Sequence, residues 1–539
     1  MAKARGVLVS VPEDKGVHVK PAGAKGERYV YRYTSYFRND DGKPRNKARM
    51  IGKMDEATGK MAPNANYFEM YALDCALPDV SVWDYGYPYA VLEVCRDIGL
   101  MECLSASLGD GIALDVVACA SYIIREGNAM DGIDDWLTRG PLPGHGRILT
   151  SQSVSRLFAS LGPGKREHFF TLWVEKALSG GSVCYDVTSI SSYAQEMPSV
   201  ERGYNRDHDN MAQYNLGMFC DEMTRAPLYY DRYNGSLTDK ANLTCVLANA
   251  RAVGIDRVKM FLDGGFWSTE CIRALAVSCE AFTVGMPMHL DAARATLKER
   301  GSNIESYRNK LKGSNIYCVG TDTGIYGVKG RVLLFYDPQG RASQSAALSE
   351  RIERLSSELA GLKHYPKGKL SRYTPFFTLV RREGGSGFDY AVDDEKADAL
   401  MREKGFFLLF TTDMASTPAD ILYYYRAKDA DEKIFSQIKV DMEGCRIRTH
   451  SEATTDGKAF VTFVACVIRS HFLRALSDYL AASSSSLKKS FAQLSDIRLI
   501  SSGDGWRFAK TLTKKQKQVL SALGLAEDIV KSVKDGCLR

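Results

Sequence analysis

Long apolar runs, paired cysteines and internal repeats are all missing from this sequence of 539 residues. Its best candidate for a membrane span, Phe460 to Ile468, stops at Arg469 and is far shorter than the about 18 apolar residues that a span needs. The 13 cysteines form no Cys-x-x-Cys pair, which argues against a zinc knuckle and a disulfide framework. The N-terminus lacks the apolar core of a signal peptide, so we expect a cytoplasmic protein without a membrane partner.

A strong overall charge is also missing, because the net charge is only +6. The surplus is nevertheless local, and a polyanion responds to local charge. Residues 1–60 hold 14 Lys or Arg against 7 Asp or Glu, and residues 500–539 hold 8 against 4. Both ends are therefore candidates for contact with a polyanion, although a merely solvated surface explains such stretches equally well.

The N-terminal part, residues 1–80, is predicted to contain a basic hairpin. Two alternating runs, Tyr29 to Thr34 and Ala48 to Lys53, flank the turn sequence Asn39-Asp-Asp-Gly42. Residues 81–180 have helical apolar spacing instead of strand alternation, which predicts a helical domain whose task this spacing does not reveal.

The next segment alternates strands and helices in an informative order. We predict strands at residues 183–188, 213–220 and 228–233, a helix at 239–253, a strand at 258–263, a helix from about 268 and a strand at 282–286. Three strands, helix, strand, helix, strand is the order of the ribonuclease-H-like arrangement, an α/β fold with a mixed sheet. In that arrangement the first and fourth strands are neighbours, so residues on them converge.

Residues 289–404 interrupt this pattern over a length that exceeds any loop in a compact domain, so we predict an inserted, β-rich folded unit. The ribonuclease-H-like domain is thus expected to comprise residues 181–288 and 405–480. The serine run Ser483 to Ser486 predicts a flexible link to a small C-terminal unit, residues 481–539.

Two carboxylates stand out in the predicted sheet. Asp186 lies within a strand, where aspartate is disfavoured, and Asp263 ends a strand against two glycines, where a ligand can approach the backbone. Magnesium prefers carboxylate oxygens, and a pair of such ions supports phosphodiester cleavage. Each acid also has a plain alternative: Asp186 pairing with a buried Arg, and Asp263 capping the turn.

A third acid lies on a predicted helix that begins at Thr417. Tyr425, Lys428, Glu432 and Lys439 fall within roughly 60° of one another at about 100° per residue, so they share one face of this helix. An ordinary solvated stripe, with Lys428 and Glu432 as an i,i+4 pair, explains the same spacing. A break in the helix near Ala427 would spoil the shared face.

Together these residues resemble the three motifs of bacterial insertion-sequence DDE transposases that carry a Tyr-x2-Arg-x3-Glu-x6-Lys signature. The motifs in this chain are Tyr185-Asp186-Val-Thr-Ser189, Phe261-Leu-Asp263-Gly-Gly-Phe266 and Tyr425-x2-Lys428-x3-Glu432-x6-Lys439. The resemblance spans about residues 180–480 and includes a β-rich insertion, similar to the 168 residues between Asp263 and Glu432. One position departs, since the family's Arg is Lys428 here, a point charge instead of a planar fork. Arg426 points about 120° away from Glu432 and is not counted as its replacement.

The resemblance implies a DNA transposase that cuts transposon ends and joins them to target DNA. It implies that Asp186, Asp263 and Glu432 bind Mg²⁺, or Mn²⁺ as an alternative, while Tyr425, Lys428 and Lys439 contact DNA. It further implies double-stranded DNA as partner, a homodimer on DNA and a location on the nucleoid.

Two other functions fit the same residues. One is a ribonuclease-H-like nuclease or resolvase that uses the acids without strand transfer. The other is a DNA-binding protein derived from a transposase whose acids are idle. Formation of a joined product separates the first from a transposase, and a complete lack of cleavage would favour the second.

Overall fold

The computed structural model of the protein describes residues 8–22, 26–39, 41–71, 81–194, 197–207, 209–382, 387–501 and 505–534. In the helix at 429–436, the side chains of residues 429–432 lie outside this description. The chain forms two compact units: Met1–Val82 with Ile500–Arg507, and Trp83–Leu499 with Phe508–Arg539.

The first unit is built on an antiparallel sheet with the strand order β1-β2-β3-β4. Its elements are β1 Val17–Pro21, β2 Arg28–Arg38, β3 Pro44–Met54, β4 Met61–Pro63 and helix α1 Ala65–Tyr71. Val30, Ile51 and Met61 are fully buried and form its small core. The hairpin predicted here is confirmed by the pairing of β2 with β3, although Asp40 of its turn lies outside the described residues.

The strand β5 Ser81–Asp84 spans the point along the chain where the first unit ends and the second begins. The second unit then continues with a set of helices, as the apolar spacing predicted. These are α2 Gly86–Asp97, α3 Leu100–Leu108, α4 Asp110–Glu126, α5 Ile133–Arg139, α6 Ser151–Ser160 and α7 Pro163–Ala177. They belong to the same compact unit as the large sheet described next. The finer division of the chain near residues 180, 288, 404 and 480 stays a prediction.

A large mixed sheet forms the centre of this unit. The elements that build its first part are β6 Ser182–Ser192, β7 Gln213–Asp221, β8 Pro227–Asn234, α8 Asp239–Ala252, β9 Lys259–Leu262, α9 Thr269–Ser278 and β10 Ala281–Met286. The five strands lie in the order β8-β7-β6-β9-β10, with β9 parallel to both β6 and β10 and β7 antiparallel to both its neighbours. The first and fourth strands are therefore neighbours, as predicted, and the mixed sheet is compatible with a ribonuclease-H-like fold.

The segment predicted as an insertion contributes to this same sheet. Its elements, with the strand that follows, are α10 Asp291–Arg300, β11 Tyr317–Ile325, β12 Val328–Tyr336, α11 Pro338–Gly361, α12 Leu370–Tyr373, β13 Phe377–Arg381, β14 Phe388–Val392, α13 Asp394–Arg402 and β15 Phe406–Thr411. β15 pairs with β10, and β12 and β11 extend the sheet beyond it. By contrast, α11 packs with β13 and β14 around its own core of Leu348, Leu355 and Phe377. The sheet therefore does not end at residue 289, and the separate core starts only after β12.

Helices dominate the remainder of the unit. The elements are α14 Pro418–Ala427, α15 Asp429–Ser436, a π-type turn Gln437–Asp441, β16 Arg446–Ile447, α16 Glu452–Ala475, α17 Ser477–Ser483, α18 Leu487–Ser495, α19 Lys514–Ala522 and α20 Asp528–Lys534. Two short strands, β17 Arg498–Ser501 and β18 Trp506–Phe508, lie where the chain enters and leaves residues 500–507 of the first unit. Among the described residues no single helix is long and apolar enough to cross a membrane. Only α16 and α17 together, bent by 58°, reach that length and composition, and α16 is largely buried.

The serine run at residues 483–486 is a tight connection between helices, and the prediction of a flexible link there is wrong. Ser484 has a φ of 47°, and the Ser486 side chain accepts a hydrogen bond from the backbone N–H of Lys489 at the start of α18. The Phe491 ring on α18 packs against the rings of Tyr87 and Phe472. Serine here serves as a helix cap, which composition alone does not distinguish from a linker.

Candidate active site

Asp186 and Asp263 lie side by side in the centre of the large sheet. In the parallel pairing of β6 with β9, Tyr185 is aligned with Leu262; Asp186 is the next residue of β6, and Asp263 directly follows the end of β9. Neighbouring strands are about 4.8 Å apart, so the two backbones hold the carboxylates close together. The convergence of these two acids that the sequence predicted is therefore present.

The Asp186 carboxylate is mostly buried, because β6 is a central strand that is covered on both faces. Burial raises the pKa of Asp186 to about 6, with a further contribution from the negative charge of Asp263. The backbone N–H of Val187 donates to Oδ1 of Asp186 at 2.8 Å, and this bond and the charges of Lys428 and Arg206 act in the opposite direction. Within the described part of the chain, no Arg forms a direct ion pair with Asp186, so that plain alternative does not explain the residue.

Asp263 is far more exposed, with 55% of its side chain accessible to solvent. It precedes a single 3₁₀ turn, Gly264–Phe266, but its side chain makes no capping hydrogen bond to that turn. The Tyr425 hydroxyl donates to Oδ1 of Asp263 at 3.4 Å, and the Lys428 ammonium lies 3.6 Å from the same oxygen. Turn capping therefore does not explain Asp263, whose carboxylate faces the helix that follows β15.

That helix, α14, begins where the sequence predicted. The Thr417 hydroxyl accepts a hydrogen bond from the backbone N–H of Asp420, whose carboxylate in turn accepts one from the Thr417 backbone N–H. Pro418 occupies the first turn, where its missing N–H costs nothing. This capping box fixes the start of the helix and so determines which residues reach the acids about two and three turns later.

Lys428 is the cation that the fold places beside both acids. Its side chain is only 9% exposed, and its ammonium lies 5.6 Å from the centre of the Tyr425 ring. In addition to its contact with Asp263, its charge lowers the pKa of Asp186. Arg426 points elsewhere and pairs with Asp337 at 2.9 Å, which agrees with the prediction that it does not replace the family's Arg.

The helix breaks near Ala427, the position where a break was expected to spoil the shared face. α14 ends there, and Lys428 joins it to α15 with a φ of −58° and a ψ of −21°, which keeps the backbone right-handed. Glu432 lies on α15, and this helix packs against β6, the strand of Asp186. The Glu432 side chain lies outside the described residues, so its place beside the two aspartates stays a prediction.

Lys439 does not lie in line with Tyr425 and Lys428 on one regular helix, because it belongs to the π-type turn Gln437–Asp441. A π-type turn holds more residues than an α-helical turn, so the 100° spacing that predicted a shared face does not apply across it. The Lys439 ammonium donates to both oxygens of Asp207, at 2.6 and 2.7 Å. Its predicted contact with DNA stays a prediction, and such a contact requires this ion pair to open.

Gly285 and Arg206 belong to the site but were not singled out from the sequence. A Cβ atom at position 285 would lie only 2.7 Å from the Tyr425 hydroxyl, so glycine there makes room for the ring that reaches Asp263. A glycine inside a strand is a recognised sign of such close approach and was available as a signal. Arg206 donates to the Ser189 hydroxyl on β6 at 3.3 Å, and no local pattern points to this contact.

The arrangement is suited to holding a cation. Two carboxylates of adjacent strands offer the hard oxygen ligands that Mg²⁺ and Mn²⁺ accept, and the Lys428 ammonium beside them shows that positive charge is accommodated there. Among the described side chains no group of three His, Cys, Asp or Glu gathers as a metal site. The Glu432 side chain is not among those described.

Comparisons with known proteins complete this description of the site. No family profile matches the chain. No curated protein matches it either. Among solved structures, the chain is similar to a piggyBac transposase in a synaptic complex with hairpin DNA, studied by cryo-EM, at 13% sequence identity and a TM-score of 0.36. The match covers 72% of this chain and 70% of that chain, and a likeness at this TM-score leaves the function to be argued from the site residues alone.

Proposed function

We propose that this protein is a DNA transposase that cleaves transposon ends and joins them to target DNA. The observation that carries the proposal is the pair of carboxylates, with Asp186 on β6 and Asp263 directly after the adjacent parallel strand β9, and with Lys428 beside them. The motifs around these residues, together with Glu432 on the helix that packs against β6, resemble those of the DDE transposases, apart from Lys428 in place of the family's Arg.

The residues present fit a pair of divalent ions. Asp186, Asp263 and Glu432 would hold Mg²⁺ or Mn²⁺ through carboxylate oxygens, and such ions supply an activated water or 3′-hydroxyl and stabilise charge on the phosphate. Burial of Asp186 favours cation binding further, since a partly desolvated carboxylate gains more from a nearby positive charge than a hydrated one does.

The neighbouring side chains have their own tasks in this proposal. The Tyr425 hydroxyl orients Asp263 by donating to one of its oxygens. Lys428 neutralises part of the negative charge of the two acids. Once metal ions neutralise these acids instead, the Lys428 ammonium is placed to attract a DNA phosphate. Because two transposon ends have to be cut in concert, we also propose that the protein acts as a homodimer on DNA, at the nucleoid in the cytoplasm.

The test is a cleavage and joining assay on the DNA that flanks the reading frame. We expect nicking that needs Mg²⁺ or Mn²⁺, followed by a product in which the cut end is joined to target DNA. Asp186→Asn, Asp263→Asn and Glu432→Gln each should abolish both products, while Asp322→Asn, which removes an exposed carboxylate on β11, should leave both unchanged.

Three results would contradict the proposal in different ways. An undiminished rate in Asp263→Asn would refute the assignment of the acids. Nicking without any joined product would identify a nuclease or resolvase that uses the same acids. A complete lack of cleavage with either ion, in protein that still binds DNA, would identify a DNA-binding protein whose acids are idle.

A further inference from the structure

The distal part of the β2–β3 hairpin extends beyond the rest of the first unit's sheet. β1 pairs with β2 only as far as Arg32, and β4 pairs with β3 only from Gly52 onward. Past these points the two strands continue as a ribbon, called the arm here, made of residues 34–38 and 44–48. Every residue of the arm is exposed, and a two-stranded ribbon with no core is only marginally stable on its own.

The two faces of the arm differ in the cations they present. Phe37 is paired with Arg45, and Ser35 with Lys47, so these four side chains lie on one face, the basic face. The opposite face carries the pairs Tyr36 with Asn46 and Arg38 with Pro44, and the Arg38 guanidinium donates to the backbone carbonyl of Gly42 in the turn at 2.8 Å. Arg49 continues the basic face along β3, since residues two apart on a strand point the same way. The cations along β3 are thus about 7 Å apart.

Acidic partners neutralise this face at its base but not along the arm. Arg49 pairs with Glu69 of helix α1 at 3.3 Å, and Arg32 on the paired strand contacts Asp14. Arg45 and Lys47 have neither a hydrogen-bond nor an ion-pair partner for their side chains among the residues that the structure describes. The turn beyond them carries both Asp41 and Lys43, so the surplus of positive charge lies along the arm and not at its tip.

We propose that the basic face of the arm binds double-stranded DNA by lying in the major groove. A major groove about 12 Å wide and about 8.5 Å deep admits a two-stranded β-ribbon. Arg45 and Lys47 would contact phosphates that border the groove, and Phe37, which is paired with Arg45 and 47% exposed, offers an apolar contact for a thymine methyl group. The choice of duplex DNA rests on the proposed function, but the site is separate from the carboxylate pair.

The experiment measures DNA binding of the full chain without metal, so that it does not depend on cleavage. The probe is a short mixed-sequence DNA duplex, titrated in EDTA at salt concentrations between about 50 and 200 mM. The variant is Arg45→Ala/Lys47→Ala. The matched control is Lys15→Ala/Lys60→Ala, which removes two exposed cations of the same unit from outside the arm.

We expect the arm variant to bind more weakly, and its plot of log affinity against log salt to be shallower by about 2, since each lost phosphate contact removes about 0.9 from the slope. The control should keep the parental slope. Methylation of guanine N7, which lies in the major groove, should be hindered by the parental protein and not by the arm variant. Both variants alter only exposed side chains and should unfold at the parental temperature.

An unchanged slope in the arm variant would overturn the proposal, as would equal losses in the arm variant and the control. An RNA duplex of the same sequence tests the groove itself, because its major groove is too narrow and deep for side chains to read. Equal binding to RNA, lost in the arm variant, would refute major-groove docking. These outcomes are independent of the catalytic proposal, since the salt dependence of DNA binding can be measured even for a protein that does not cleave DNA.

Discussion

Replacing Asp186 with asparagine should stabilise the protein at neutral pH while abolishing its activity. Asparagine is almost the same size as aspartate, and its Oδ1 can still accept the hydrogen bond from the Val187 N–H. The substitution therefore removes a buried charge and leaves the packing of β6 in place. A buried charged group that lowers the stability of the folded protein is typical of a functional site.

The magnitude follows from the pKa of Asp186, which burial raises from 3.8 to about 6. At about 1.4 kcal/mol per pH unit, a shift of this size costs about 3 kcal/mol when the carboxylate is fully charged. The folded protein holds the proton more tightly than the unfolded chain. Below a pH of 3.8, the pKa of Asp186 in the unfolded chain, the carboxyl is protonated in both states and does not destabilise the fold. As the pH rises toward 6, the charged carboxylate destabilises the folded protein more and more, and above 6 this destabilisation is complete.

The assay is thermal or denaturant unfolding of the parental protein and Asp186→Asn in EDTA across this pH range. The free energy of unfolding of the variant should exceed that of the parent by up to about 3 kcal/mol near pH 8, and the gap should close below about pH 4. Asp322→Asn, whose carboxylate is exposed, should show no such pH-dependent gap. A gap that is independent of pH, or an Asp186→Asn protein that is less stable near pH 8, would refute the reasoning.

Further predictions concern the groups around the two acids. Lys428→Met removes the ammonium that lies 3.6 Å from Asp263. This variant should therefore be less stable without metal, and Mg²⁺ should raise its unfolding temperature by more than it raises that of the parent. Lys428→Arg keeps the charge and should show neither effect. Gly285→Ala should cost about 1–3 kcal/mol of stability and reduce cleavage, since its Cβ would lie 2.7 Å from the Tyr425 hydroxyl. Gly265→Ala is the control. This glycine is also close to Asp263 in the chain, but a Cβ added to it would have nothing within 4 Å. Equal effects of the two alanines, or a Mg²⁺ response unaltered by Lys428→Met, would contradict these explanations.

Much of this protein was determined by local sequence patterns. The alternation in β6, the strand that ends at Leu262 and the capping box at Thr417 each depend on residues close together in the chain, and each lies within a few residues of its predicted place. The strand order then followed from the sequence of elements, and with it the neighbourhood of Asp186 and Asp263. Helices and strands can be predicted from such patterns because the direction of successive side chains repeats every few residues.

Tertiary packing alone decided the rest. Whether β11 and β12 formed a separate sheet or extended the large one depended on β15 offering them a free edge. Likewise, the π-type turn at Gln437–Asp441 changed the direction of Lys439 and brought it to Asp207, far away in the chain. Helical spacing assumes a constant turn, and strand prediction says nothing of the partner strand. The residues that face one another across distant segments are therefore set by packing, for which a single sequence carries no local signal.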